Sequence, residues 1–248
     1  MTAFNALILA GSRGAPEAFA EAEGVSHKSL IKLGDRTLLE RVVVAVQAAG
    51  AARIAVSTND PQVAAAASRL GAEILAAQPG PSASVAAGAE ALGFPLLVTT
   101  SDHALLRPEW IARFLADAPN DAEVCALLAR REVVETDAPA TRRTYLKLAD
   151  GDWSGCNLFL LTGPRALSAV AFWRRLEAER KRPWRMAALL GPGILVSFLA
   201  RRLALAGAVE RLGRIAGVRA AAVPCPYGLA AVDVDKAADL QLVRNLTA

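Results

Sequence analysis

The sequence predicts an α/β protein of three layers, in which a mostly parallel sheet lies between two sets of helices. Apolar runs of strand length alternate with amphipathic segments of helix length through the first half of the chain, which is typical of a doubly wound sheet. Hydrophobic residues make up 54% of the 248 residues, which is enough for a substantial buried core. A hairpin in the second half indicates that the sheet is mixed.

The first half contains four apolar runs and four helical segments. Leucines and valines recur at helical spacing from Thr37 and stop at Gly50, which indicates a helix that ends at this glycine. The predicted strands are 4–10, 53–57, 72–76 and 95–102, and the predicted helices are 37–50, 60–70, 84–92 and 108–118.

The pattern changes after a strand at 123–129. Alternating polarity in 141–148 and 153–161, with Asp150, Gly151 and Asp152 between them, predicts a hairpin. Helices are expected through 163–214, then short strands at 218–223 and 230–234 and a last helix from Lys236. No linker or repeat divides the chain, so we expect a single domain over residues 1–248.

Composition excludes several functional classes. A formal charge of +4 is too small to indicate a nucleic-acid partner, although it is compatible with phosphorylated ligands. Cys125, Cys156 and Cys225 form no Cys-x-x-Cys pair, so neither a disulfide framework nor a zinc site is indicated. The apolar run at the N-terminus lacks the basic region of a signal peptide, and we therefore expect a cytoplasmic protein.

The loop after the first strand reads LILAGSRG, from Leu7 to Gly14. Ligands of doubly wound sheets bind at the carboxyl ends of strands, where glycines let the backbone approach phosphate closely. Gly11 and Gly14 allow a tight turn, and Arg13 offers a charged fork for anionic oxygens. An ordinary strand-to-helix turn is the alternative.

Several further motifs follow this loop in order: HKSLIKLGDRTLLERV, GPSASVAAGAEAL, TTSDHALL and VDVDKAADLQLV. Together they resemble the MobA-like NTP transferases, which are nucleotidyltransferases of the GT-A-like fold. The resemblance implies a three-layer α/β/α, Rossmann-like fold with a helical C-terminal insertion at about 163–214. It also implies a nucleotide-binding half at 1–121, an acceptor-binding half at 122–248, and Mg²⁺ as the cofactor.

The resemblance implies a nucleotide site around the glycine loop. Lys28 matches the family's phosphate-binding lysine better than its rival Lys32, because of its spacing to Gly34 and to the leucine pair that follows. Ser84 would contact the base, although Ser82 or Ser84 could equally cap the helix. The implied nucleotide-binding residues are Leu9, Ala10, Gly11, Ser12, Arg13, Gly14, Lys28, Pro81, Ser82, Ser84 and Ser101.

Three aspartates are candidate Mg²⁺ ligands. Asp102 ends the run PLLVTTSD, at the place of the family's metal-binding aspartate. Asp233 and Asp235 would lie on the same face of an extended segment and could face one cation. The alternative is that Asp102 and Asp235 are helix N-caps. The resemblance assigns catalysis to Arg13, Lys28, Asp102 and Asp235.

The acceptor is expected beside the predicted hairpin. Arg142, Arg143 and Lys147 crowd one strand, and Asn157 stands where family members contact the second substrate. These basic residues suit a phosphorylated acceptor. A charged edge strand that discourages aggregation is the alternative.

The implied reaction transfers an NMP group from an NTP, with CTP or GTP favoured, to a sugar, polyol or lipid phosphate, and releases pyrophosphate. One alternative is a glycosyltransferase that uses a nucleotide sugar, but residues 101–104 hold one carboxylate where such enzymes usually have two. The other alternative is a nucleotide-binding protein without turnover.

A basic stretch at 172–185 precedes an apolar segment at 186–205. Glycines and a proline at 191–193 interrupt this segment, so we do not expect it to span a membrane. It could instead rest on anionic lipid, with Trp173 and Trp184 at the interface, as a peripheral membrane contact that suits a lipid-phosphate acceptor. The alternative is that these two segments form a pair of helices that pack against the rest of the protein.

Overall fold

The computed structural model of the chain describes residues 3–12, 18–179 and 182–247, and describes only the backbone of residues 183, 186–188, 192, 194, 195 and 199. Its strands are β1 (Asn5–Leu9), β2 (Lys32–Leu33), β3 (Arg36–Thr37), β4 (Ile54–Thr58), β5 (Glu73–Ala76), β6 (Leu96–Thr100), β7 (Val124–Arg130), β8 (Leu146–Leu148), β9 (Gly151–Leu161) and β10 (Ala220–Cys225).

The α-helices of the described residues alternate with these strands in the first half and cluster in the second. They are α1 (Ala18–Ala22), α2 (Leu38–Ala48), α3 (Pro61–Arg69), α4 (Pro81–Leu92), α5 (Pro108–Asp117), α6 (Arg131–Asp137), α7 (Leu167–Ala178), α8 (Pro183–Leu190), α9 (Pro192–Leu199), α10 (Leu205–Ala216) and α11 (Ala237–Thr247). Short 3₁₀ helices occur at Lys28–Leu30, Pro164–Ala166 and Gly228–Ala231.

The main sheet is mixed and mostly parallel. Its strand order is β10-β7-β9-β6-β1-β4-β5, and β8 pairs with β9 beside this path. Strand β9 is antiparallel to both β6 and β7, whereas the neighbours of β1 and the pair β10 and β7 are parallel. The predicted fold class is therefore confirmed, and the carboxyl ends of β1, β4, β5 and β6 share one edge of the sheet.

Helices cover both faces of the sheet, as the alternation of buried side chains along β1 demonstrates. Ala6 and Ile8 pack in the cluster that contains the buried faces of α2, α3, α5 and α11. Leu7 points to the opposite face and packs with Val85 of α4 and Val170 of α7. Successive residues of a strand face opposite sides, so both faces of β1 are buried beneath a helical layer.

Most predicted strands and helices agree with the structure to within two residues at each end, and three differ by more. Helix α4 begins at Pro81 and not at Ser84, because a proline in the first turn needs no backbone N–H partner. The predicted strand at 141–148 shortens to β8, so Arg142 and Arg143 lie in the loop before it. The side chain of Arg143 turns there to pair with Asp233.

The predicted strand at 230–234 is wrong. Residues Gly228–Ala231 form a 3₁₀ helix whose first N–H donates to Asp137 Oδ2 at 2.7 Å. A Cβ atom at Gly228 would lie 2.3 Å from the carbonyl oxygen of Val133, so this segment packs directly on the backbone of α6. The next residues place Asp233 and Asp235 beside the end of β6.

The basic and apolar segment of the second half forms α7, α8 and α9. Trp173 is partly buried against the core and stacks on Phe159 with ring centroids 6.3 Å apart, which favours the alternative of packed helices at this residue, and the peripheral membrane contact stays a prediction. Trp184 is 69% exposed. Among the residues that the structure describes, no helix has the length and apolar character needed to cross a membrane.

Candidate active site

A cavity of about 990 Å³ opens at the carboxyl edge of the sheet, along the loops that follow β1, β4, β5 and β6. Its described lining includes the following predicted residues: Leu9, Ala10, Gly11, Ser12, Lys28, Pro81, Ser84, Ser101, Asp102 and Asp235. The other two predicted residues of the glycine loop, Arg13 and Gly14, lie outside the described residues. Ligands of open α/β sheets bind at this edge, which makes the cavity the candidate nucleotide site.

Gly11 allows the first loop to approach the loop after β5. A Cβ atom at Gly11 would lie 3.1 Å from Ala77 Cβ, which is tighter than ordinary side-chain contacts. Asn59 joins the neighbouring loops, because its side chain donates to Ala77 O at 2.9 Å and accepts from Ala77 N at 3.0 Å. These contacts hold the loops after β1, β4 and β5 close together.

Lys28 is positioned by the short 3₁₀ helix that follows α1. His27 Nδ1 accepts from Ser29 N at 3.1 Å and caps this helix. The hydroxyls of Ser29 and Ser101 lie 2.5 Å apart in the buried interior and join the helix to the end of β6. Ser101, a predicted nucleotide contact, therefore also anchors the segment that carries Lys28.

Lys28 lies between two carboxylates. Its Nζ atom is 2.6 Å from Asp102 Oδ2 and 2.7 Å from Asp235 Oδ1. Val234 N donates to Asp102 O at 3.1 Å, which brings the C-terminal loop against the end of β6. The structure thus brings together three residues that are predicted to be catalytic and that are far apart in the sequence.

Burial and the neighbouring charges shift the pKa values of Lys28 and Asp102 in opposite directions. Burial lowers the pKa of Lys28, but Asp102 and Asp235 outweigh it and raise the pKa well above its usual range. Burial raises the pKa of Asp102, and the adjacent Lys28 ammonium offsets only part of this effect. Lys28 therefore stays cationic at neutral pH.

The donor set fits Mg²⁺ when phosphate completes it. Asp102 Oδ1 is buried and accepts no hydrogen bond from a described residue, while the Asp235 side chain is 59% exposed. No cluster of three or more potential ligands from His, Cys, Asp and Glu occurs within the described ranges. Mg²⁺ commonly takes one or two carboxylates together with water and substrate phosphates, so two aspartates suffice.

Asp233, the third predicted ligand, belongs to a separate cluster. Both of its oxygens pair with the Arg143 guanidinium, and Asn157 Nδ2 donates to Oδ2 at 2.6 Å. Burial raises the pKa of Asp233, but Arg143 and Asn157 outweigh it and hold the pKa below the usual range. Asp233 therefore fixes Arg143 and Asn157, and its role as a metal ligand stays a prediction.

A second cavity of about 330 Å³ adjoins the first. Its described lining is Arg142, Arg143, Thr144, Ser154, Gly155, Asn157, Asp235, Lys236 and Asp239. Three of the four predicted acceptor residues line it, whereas Lys147, on β8, is not among the described residues of this lining. Asp235 lines both cavities, so the cavities meet at the Lys28 cluster.

The serines of α4 contact protein groups. Ser84 Oγ accepts from Gln78 N at 2.9 Å and lines the large cavity. Ser82 is buried, and its hydroxyl donates to Glu177 Oε2 at 2.6 Å. Glu177, on α7, also lines the large cavity but was not predicted, because no local pattern links it to a serine 95 positions away.

These features are typical of the class of α/β proteins that bind phosphate groups: a glycine loop, a lysine and two carboxylates lie at the carboxyl edge of a mostly parallel sheet. The family model of the MobA-like NTP transferase domain matches residues 6–220. The chain belongs to this family, as its sequence motifs predict. A search of the curated proteins found no match.

Solved structures agree with this assignment. A hypothetical transferase from Thermus thermophilus is 34% identical with a TM-score of 0.84, over 96% of this chain and 100% of that one. A nucleotidyl transferase from Methanothermobacter thermautotrophicus shares 20% identity, with a TM-score of 0.56 over 98% and 96% of the chains. A CMP:2-keto-3-deoxy-manno-octonic acid synthetase complexed with CTP is 16% identical, with a TM-score of 0.60 over 99% and 98%. The last two similarities concern the fold alone.

Proposed function

We propose that this protein transfers an NMP group from an NTP, with CTP or GTP favoured, to a phosphorylated acceptor and releases pyrophosphate. The observation that carries the proposal is the junction of the two cavities at Asp235, beside Lys28 and Asp102. The larger cavity has room for a nucleotide, and the smaller one presents basic side chains to a second substrate.

The nucleotide phosphates would lie against the loop at residues 10–12 and the Lys28 ammonium. Ala10, Gly11 and Ser12 line the cavity at the end of β1, where the small side chains leave the backbone accessible. Lys28 supplies a permanent positive charge, which stabilises the charge that develops on the phosphate oxygens in the transition state. Arg13 is proposed to add a second charge here.

The acceptor would bind in the smaller cavity, with a sugar, polyol or lipid phosphate as the attacking group. Arg142 is exposed beside this cavity, whereas Arg143 and Asn157 are held in place by Asp233. An ionised phosphate is already a nucleophile, so the reaction needs no general base. The residues act by positioning two anionic groups in line and by neutralising their charge.

Asp102 and Asp235 are the proposed Mg²⁺ ligands. The ion would supply charge neutralisation of the phosphate oxygens. Asp102 Oδ1, which has no hydrogen-bond partner among the described residues, and the exposed Asp235 carboxylate support this assignment. Lys28 would keep these two carboxylates close together before substrates bind.

The test measures pyrophosphate release with each NTP, Mg²⁺ and a panel of sugar, polyol and lipid phosphates. We expect Lys28→Ala or Asp102→Ala to lower turnover by a factor of about 100 or more, because each removes a charge next to the reacting phosphates. Lys32→Ala is the matched control, since Lys32 is exposed on β2. It should retain wild-type turnover.

Circular dichroism and thermal unfolding establish that each variant is folded. Wild-type turnover in both Lys28→Ala and Asp102→Ala would contradict the proposed site. Nucleotide binding without pyrophosphate release from any acceptor in the panel would instead favour a binding protein without turnover.

A further inference from the structure

Glu177 places a negative charge in the larger cavity, the candidate nucleotide site, and forms no ion pair with another described residue. Its carboxylate lines the cavity from α7, and Ser82 supplies its only hydrogen bonds among the described residues, at 2.6 Å from Oγ and 3.4 Å from N. Both bonds go to Oε2. Within the same part of the chain, Glu177 forms no ion pair and Oε1 accepts no hydrogen bond.

The Glu177 carboxylate packs against the backbone at Gly80. A Cβ atom at Gly80 would lie 2.6 Å from Oε1 and 3.0 Å from the carboxyl carbon. Oε1 therefore lies directly against Gly80, in the segment before α4. The buried Ser82 holds the other oxygen, Oε2, through its hydroxyl.

The negative charge of Glu177 indicates which part of a bound nucleotide would lie beside it. Lys28 and the two aspartates lie at the end of β6, whereas the segment that supports Glu177 follows β5, and β1 and β4 lie between these strands. Three strand spacings separate β5 from β6 by roughly 14 Å. The triphosphate is repelled by Glu177 and attracted by Lys28, so the base is the part that faces Glu177.

We infer that Glu177 reads the nucleobase and that its carboxylate selects guanine. This inference rests on the proposed function. A carboxylate only accepts hydrogen bonds, and its two oxygens can accept from two parallel donors. Oε1 has no hydrogen-bond partner among the described residues, and Oε2 can exchange its long bond of 3.4 Å from Ser82 N for the second donor while it keeps the bond from Ser82 Oγ. Guanine presents such a pair, the ring N1–H and the exocyclic amino group. Adenine and cytosine place an acceptor nitrogen beside their amino group, and uracil flanks its single N–H with two carbonyls.

The test measures dissociation constants of the wild-type protein for GTP, ITP, CTP, ATP and UTP in the presence of Mg²⁺, without an acceptor. ITP lacks only the exocyclic amino group of GTP. We expect GTP to bind tightest and ITP about tenfold or more weaker, because a hydrogen bond to a charged acceptor is lost.

Glu177→Gln preserves the size of the side chain but replaces one acceptor by a donor. We expect it to weaken GTP binding by a factor of about ten or more and to remove the preference for GTP over ITP, with CTP and ATP binding much less affected. Glu179→Gln is the matched control, because Glu179 pairs with Arg182 and Arg185 and does not line the cavity. It should bind every nucleotide like the wild type.

The outcomes separate this inference from the proposed function. Equal binding of GTP and CTP by the wild type, or an equal loss for all nucleotides in Glu177→Gln, overturns base selection by Glu177 but leaves nucleotidyl transfer intact. If no NTP binds the wild type, both the proposed function and this inference fail.

Discussion

The Lys28 side chain is the charged group that links the two carboxylates of the candidate site. It lies within 2.7 Å of two carboxylates, one buried and one exposed. A phosphate oxygen that approaches the ammonium competes with these carboxylates. We therefore expect substrate binding to release at least one carboxylate oxygen, which then becomes available to a cation.

Asp233 and Arg143 form the second ion pair that is important at the residue level. The carboxyl pKa is lower in the folded protein than its usual value of about 3.9. Such a shift stabilises the fold at pH values above the usual value. The contribution is lost as the pH falls through the lowered pKa, because the protonated carboxyl no longer pairs with Arg143.

Asp233→Asn should therefore lower the free energy of unfolding at pH 7 by about 3–5 kcal/mol, since it leaves the partly buried Arg143 charge uncompensated. The difference from the wild type should begin to shrink below about pH 4, where the carboxyl of the unfolded chain becomes protonated, and it should disappear as the pH falls through the lowered pKa of the folded protein. Urea unfolding at pH 7 and at pH 3 measures both values.

Asp35→Asn is the control for this experiment, because the Asp35 side chain is 86% exposed. Its free energy of unfolding should stay within about 0.5 kcal/mol of the wild type. A pH-independent effect of Asp233→Asn would contradict the electrostatic explanation and point to packing.

At the scale of elements, α2 has the most complete local signal in the chain. Thr37 Oγ1 accepts from Glu40 N at 3.1 Å, and the Glu40 carboxylate accepts from Thr37 N at 2.5 Å. This reciprocal cap starts a helix whose apolar stripe, including Leu39, Val42 and Val46, is fully buried. The predicted segment 37–50 therefore differs from the observed helix only at its ends.

Thr37→Ala should reduce the free energy of unfolding by about 1 kcal/mol, because it removes the acceptor for Glu40 N. Thermal or urea unfolding measures the loss. Ser68→Ala on α3 is the matched control, since Ser68 is exposed within a helix, and it should change stability by less than about 0.5 kcal/mol. Equal effects of the two substitutions would contradict a specific role of the cap.

Four short elements without such signals were not predicted, and one segment was predicted wrongly. The hairpin of β2 and β3 and helices α1 and α6 are short, and no extended periodicity marks them in the sequence. The segment 230–234 has the apolar character of a strand, but its neighbours in space decide its conformation. It packs against α6 and carries Asp233 and Asp235 toward the site.

At the scale of the whole molecule, the two adjoining cavities would bind the two substrates of the proposed reaction separately. The proposed function places the acceptor phosphate beside Arg142, whereas the nucleotide contacts Lys28 in the other cavity. Arg142→Ala should therefore raise KM for the acceptor by about tenfold or more and leave KM for the NTP unchanged. Steady-state kinetics with each substrate varied in turn measures both constants.

A substitution of Lys147 distinguishes two possible binding positions of the acceptor. It lies on β8 and is outside the described lining of the smaller cavity. Lys147→Ala should leave both constants unchanged if the acceptor occupies this cavity. A rise in acceptor KM for Lys147→Ala, with none for Arg142→Ala, would instead place the acceptor against β8.

The amino-acid sequence alone was enough to predict the fold class and the family, and it singled out Lys28, Asp102 and Asp235, which the structure brings together. These inferences succeeded because alternating apolar runs set the order of the sheet elements, and loops at the carboxyl ends of parallel strands meet at one edge. The predicted roles of the glycine loop and of Mg²⁺ follow from the same ordered motifs and await measurement.

Which side chains pair could be read only from the folded chain. It joined Asp233 to Arg143 and Asn157, and it carried Glu177 across 95 positions to Ser82 and the nucleotide cavity. Such contacts depend on how helices and loops from distant parts of the chain pack together, and a local pattern carries no information about them. The tertiary structure is therefore needed to distinguish charged residues that are available to a substrate from those that stabilise the fold.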